Sequence, residues 1–278
     1  MTPVNRRAPL APDQLLAHAD AALRSALLSA AHRPLPRPAR AAAGAAYLDL
    51  WVCDRLLSAE GDSASAGAGF LVPRLLLEAV DGLTPWVDPG PGPRTRAIRE
   101  YRRRAALLGD AMWHGDQTGR PAAVTTRLAR LPRGEDRLSR PLTPVRPAAL
   151  PAELRTLLAD LELERQELIA ECARTADESG AGDWARADRY ALLTAAAACL
   201  DGWRRRTLRR GRLLADRTRL RGALSRLVVR LDRAPAGSDA EFSAAVFPQA
   251  VEYCRASGVV AGGGRRPDRR WVCEPVGG

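Results

Sequence analysis

Apolar residues recur every three or four positions along most of this chain, and that period dictates helices. Leu15, Leu16, Ala19, Leu23, Ala26 and Leu27 fall on one face of a first helix. Leu154, Leu157, Leu158, Leu161, Leu168 and Ile169 do the same further on, as do Leu220, Leu224, Leu227, Val228 and Leu231. No stretch carries the signals of a strand. Aromatic residues are 5% of the chain and isoleucine occurs only at positions 98 and 169, so strand formers are scarce while Ala and Leu dominate. The fold class that follows is all-α: a helical bundle, then a second helical bundle or extension.

Prolines and glycines set the punctuation. The first helix opens at Pro12 and Asp13, and Pro34, Pro36 and Pro38 break it. A second helix is expected over about 38–58. The small residues of 61–69 read as a loop, 70–83 as a third helix with Pro73 near its start, and 85–93 as a second break. A basic helix over 94–108 leads into a turn-rich stretch at 109–119, followed by a short helix at 121–131. Pro132, Pro141, Pro144, Pro147 and Pro151 mark a linker without periodic apolar pattern.

Beyond it, helices are expected over 153–175, from 184 to about 210, and over 217–231. Ser238-Asp239-Ala240-Glu241 has capping-box spacing for one more, running to about 255 and kinked by Pro248. The division is therefore 1–131 bundle, 132–151 linker, 152–257 helical extension and 258–278 tail. One internal echo joins the halves: Ala45-Ala46-Tyr47-Leu48-Asp49-Leu50-Trp51 and Ala197-Ala198-Cys199-Leu200-Asp201-Gly202-Trp203.

The net charge of +11 admits a phosphate-rich partner, coenzyme A or nucleic acid included. Yet all 43 basic residues are arginine, the skew of a GC-rich coding sequence, and a solvated basic surface explains the same number. The densest cluster, Arg204, Arg205, Arg206, Arg209, Arg210 and Arg212, follows Trp203 at a helix end, where the macrodipole by itself favours cations. Cys53, Cys172, Cys199, Cys254 and Cys273 form no C-x-x-C pair and read as reduced core residues. Residues 1–7 lead into no apolar segment, and no run of 18 apolar residues occurs, so a cytoplasmic protein without membrane insertion is expected.

Chemistry-bearing motifs are mostly missing. The chain has no phosphate-cradling G-x-x-x-x-G-K-[ST], no G-x-G-x-x-G, no G-x-S-x-G and no H-E-x-x-H. His18, His32 and His114 form no ligand pair, and Asp49 and Asp54 lie about 140° apart around a helix axis, so no metal site is expected. The most unusual local chemistry is Met112-Trp113-His114-Gly115-Asp116-Gln117-Thr118, an aromatic, an imidazole and a glycine turn read as one loop.

Several segments, taken in order, resemble the C-terminal portion of actinobacterial acyl-CoA dehydrogenase-like proteins. Ala26-Leu27-Leu28-Ser29-Ala30-Ala31-His32-Arg33 is similar to the family's helix that ends in an arginine. Residues 45–57 resemble the next long helix, Phe70-Leu71-Val72-Pro73-Arg74-Leu75 the start of the one after, and Trp113-His114-Gly115-Asp116-Gln117 stands where the family has aromatic-Glu-Gly-Thr-Asn. Beyond the linker, 188–203 and 219–224 resemble the helical extension of longer members.

The resemblance implies that a flavin oxidises the Cα–Cβ bond of an acyl thioester while a glutamate removes the α-proton. By position the base is His114, the FAD-contacting arginine is Arg33, and Gly115, Asp116 and Gln117 complete the cofactor-binding loop. The family's aromatic-glycine turn is Pro36-Arg37 here, and its glutamine is Gly44. The N-terminal helical and middle β domains that hold most flavin contacts have no counterpart in these residues. FAD is thus expected only in complex with a partner and not on the isolated chain. The partners implied are a fuller acyl-CoA dehydrogenase homologue or further copies of the chain, with an acyl-CoA or acyl-carrier thioester as substrate. The expected role is an accessory or regulatory subunit. The alternatives are an active half-enzyme with His114 as base, a basic DNA-binding relative, and a helical protein without this kinship.

Overall fold

The computed structural model describes residues 10–30, 34–87, 95–114, 120–142, 151–175, 182–210, 214–235 and 237–260. The helices are α1 (Pro12–Ala30), α2 (Arg37–Leu57), α3 (Asp62–Asp81), the short α4 (Thr84–Val87), α5 (Arg96–His114) and α6 (Arg120–Leu128). A 3-10 turn at Arg137–Ser139 precedes α7 (Ala152–Arg174), α8 (Gly182–Arg210), α9 (Leu214–Arg230) and α10 (Ala240–Val260). No strand occurs among the described residues, and the all-α class is the class of this protein.

Two helices run through the middle. Residues 46–54 of α2 and 190–200 of α8 are buried without interruption, so these segments have no solvent face at all. The echoing heptapeptides are the heart of those two helices. Around them α1, α3, α5, α9 and α10 each contribute one apolar face, and a single continuous core takes in Leu23, Leu71 and Tyr101 from one side of the linker and Leu161, Leu224 and Val246 from the other. The two stretches separated by the proline-rich linker share that core.

Close approach needs missing side chains. A Cβ on Gly44 of α2 would meet the Ser243 carbonyl oxygen of α10 at 1.8 Å, and one on Gly222 of α9 would meet Leu48 Cδ1 at 2.8 Å. Gly67 explains the largest departure from the sequence-based boundaries. The segment 61–69, expected as a loop, is the first half of α3, and its Gly67 and Ala68 let α3 settle against Thr194 of α8. Helix packing overrode weak local propensity there. Pro73 consequently lies in mid-helix, not near the start. Burying Leu71, Leu75 and Leu76 at about 1.5–3 kcal/mol each outweighs the roughly 3 kcal/mol of an interior proline. By length and composition 62–87 could cross a membrane, but most of its apolar window is buried in the core.

A second boundary also moved. The turn-rich reading of 109–119 is corrected over 109–114, where α5 continues through Gly109 to His114, and 115–119 lie outside the described residues. Leu108 is buried and Ala111 packs against the core, so burial carries the helix past a glycine that would otherwise end it.

Candidate functional site

Of the residues singled out by sequence, Arg33, Gly115, Asp116 and Gln117 lie outside the described residues, and His114 is described only as the last backbone position of α5. Tyr101, near the start of α5, donates to the Val80 carbonyl of α3 at 2.6 Å and pairs with the Thr84 hydroxyl of α4 at 2.9 Å. Arg127 of α6 reaches Asp62, the first residue of α3, at 3.4 Å.

Where α3 begins, the structure builds a buried polar cluster. Asp136 is 5% exposed and its Oδ2 accepts from Ser63 Oγ at 2.8 Å and from the Tyr190 hydroxyl at 3.0 Å. Its Oδ1 accepts from the Leu138 backbone N–H at 3.0 Å, Arg127 Nε stands 3.5 Å from Oδ2, and Ser139 Oγ accepts from the Asp136 N–H. Burial and then the Asp136 charge push the Tyr190 phenol well above its usual range. A serine beside a carboxylate with no imidazole between them is no nucleophile-base pair. The cluster latches the 3-10 turn to α3 and α8.

A second network spans α2 and α9. Asp49, 2% exposed, accepts from Arg226 Nε at 2.9 Å and Nη2 at 2.5 Å, and from Arg230 Nη2 at 3.0 Å. Arg226 also reaches Asp239 at 2.6 Å, and Arg230 binds Glu78. Burial alone would raise the Asp49 pKa, but the two guanidinium groups overcome it and hold the carboxyl below its ordinary value. Glu164 of α7 is likewise claimed by Arg189 and Arg233. These carboxylates, legible in the sequence only as scattered acids, are structural. The signal that could have found the clamp is the i, i+4 spacing of Arg226 and Arg230 beside the apolar run Leu224, Leu227 and Val228.

The thiols are held neutral: burial pushes Cys199 and Cys254 up to about 12 and raises Cys53 and Cys172 as well. His18 Nδ1 lies 2.6 Å from Arg104 Nη1, and burial followed by that positive charge lowers its pKa. Of the basic run after Trp203, Arg204 stands 3.5 Å from Asp201 and Arg205 is exposed, while the side chains beyond lie outside the described residues. Among the described residues no group of three His, Cys, Asp or Glu is placed to hold a metal ion.

Comparison with protein-family models, with curated proteins and with solved structures gave no match to this chain.

Proposed function

We propose that the chain is an accessory subunit related to acyl-CoA dehydrogenases that works beside a more complete homologue on an acyl thioester. The ordered run of family-like segments from Ala26 to Gln117, on a chain of all-α class, supports the kinship. The observation that carries the accessory role is that every buried carboxylate among the described residues is already held by a donor.

Asp49, Asp136 and Glu164 are engaged by arginines, hydroxyls or backbone, and a carboxylate already saturated with donors is a poor acceptor for a substrate proton. Removal of the α-proton would fall to the partner's own glutamate.

The test is purification of the chain alone and after co-expression with a full-length acyl-CoA dehydrogenase from the same source. The expected result is a colourless isolated chain and a yellow complex that elutes as one species. Stoichiometric flavin on the isolated chain, or no co-elution with any such homologue, overturns the reading.

A further inference from the structure

Where α7 begins, α9 and α10 close around a cleft of about 240 Å³ that no part of the proposed function uses. Leu154, Phe242 and Ala245 give it an apolar wall, and two arginines one helical turn apart on α9, Arg217 and Arg221, project along it. Their surroundings differ. The Arg221 guanidinium lies 4.3 Å from the centroid of the Phe242 ring and 3.9 Å from Glu153, whose side chain is 55% exposed. Arg217 has its Nε shut off from solvent, with no hydrogen-bond partner among the described residues.

Among the described residues that line it, the cleft holds two cations and one partly solvated acid, which stands beside Arg221. A buried guanidinium N–H without an acceptor costs free energy that a bound anion would recover. The first turn of α7 adds to the same field, since its N-cap is Pro151 and no side chain caps it.

From this geometry we infer that the cleft binds a small carboxylic acid with an aromatic or branched apolar body. Arg217 and Arg221 receive the carboxylate, and Leu154 and Phe242 cover the body. Arg221, stacked on Phe242, is pre-oriented, so little side-chain freedom is lost on binding. Size sets the class: an apolar cavity of roughly 150 Å³ accepts a benzene ring, and this one leaves room for a ring with a short acid. The inference is independent of the acyl-thioester reading and stands or falls without any partner chain.

The experiment is calorimetric titration of the full chain with phenylacetate, with the neutral isostere 2-phenylethanol, and with inorganic phosphate. Saturable phenylacetate binding is expected, with the alcohol and phosphate each at least tenfold weaker. Arg217→Met keeps the apolar stem and should weaken phenylacetate at least tenfold, and Ala245→Phe, at an exposed position, should block the cleft with the helical signal intact. Comparison of acid with alcohol uses the unaltered chain, so it decides the matter even if a variant misfolds. No saturation, equal binding of acid and alcohol, a preference for phosphate, or a folded Arg217→Met variant with unchanged affinity each overturns the assignment.

Discussion

The Cβ that Gly44 lacks would sit 1.8 Å from the backbone carbonyl oxygen of Ser243. Backbone stands on both sides of that contact, so no rotamer change relieves it. The position the family resemblance assigns to a flavin-contacting glutamine is in this chain the crossing point of α2 and α10, and nothing larger than hydrogen fits.

Replacing Gly44 by Ala sets two effects against each other. Alanine gains about 1 kcal/mol of helix propensity, but forcing α2 and α10 apart disturbs a packed core at about 1–3 kcal/mol or more. We expect a net loss of stability in urea denaturation. Gly222→Ala should cost less, because the atom it meets is the end of the flexible Leu48 side chain. A Gly44→Ala variant as stable as the parent would mean that the crossing relaxes freely.

Asp49 is the acid on which Arg226 and Arg230 converge inside the core. Asp49→Ala leaves Arg226 with Asp239 and Arg230 with Glu78 as their remaining acids, so the loss should fall short of the about 3–5 kcal/mol of a fully uncompensated buried charge. Asp49→Leu combined with Arg226→Met should recover part of that loss, because the apolar pair removes the desolvated charge from both sides. Denaturation midpoints of the two variants check the order, and a double variant no better than Asp49→Ala would sink the argument.

The same pair sets an acid limit. The Asp49 pKa is lowered in the folded chain, so its contribution is present above the unfolded value of about 3.9 and is lost as pH falls through the folded value. Glu162 adds in the same direction: burial raises it, and bonds from Arg165 and the Leu142 N–H bring it below its usual range. Urea midpoints followed from pH 6 downward should drop below about pH 4 more steeply for the parent than for Asp49→Asn. Parallel curves would show that Asp49 does not titrate differently on folding.

His114 separates the accessory reading from an active half-enzyme. In a purified complex with a fuller homologue, His114→Ala should leave turnover unchanged, because the partner supplies its own base. A fall of about 10²–10⁴-fold, the usual worth of a general base, would make His114 catalytic instead.

The period of Ala and Leu determined the helices by itself, because a 3.6-residue repeat is a local property that survives without knowledge of the neighbours. The break after α1 and the start of α7 were legible for the same reason: proline acts on its own backbone. The first half of α3 and the last turns of α5 were not. Ser63, Gly67 and Gly109 are weak helix formers, and what holds them helical is a partner surface, Thr194 of α8 or the core around Leu108. Tertiary structure also decided what the charges do. Asp49, Asp136, Arg226 and Arg217 look alike in a sequence rich in acids and arginines. Only the packing of α2 on α9, of the 3-10 turn on α3 and α8, and of α9 and α10 around the start of α7 makes two of them a buried pair, one a latch and one a donor with no partner among the described residues, since an ionic role depends on which charges share a low-dielectric space.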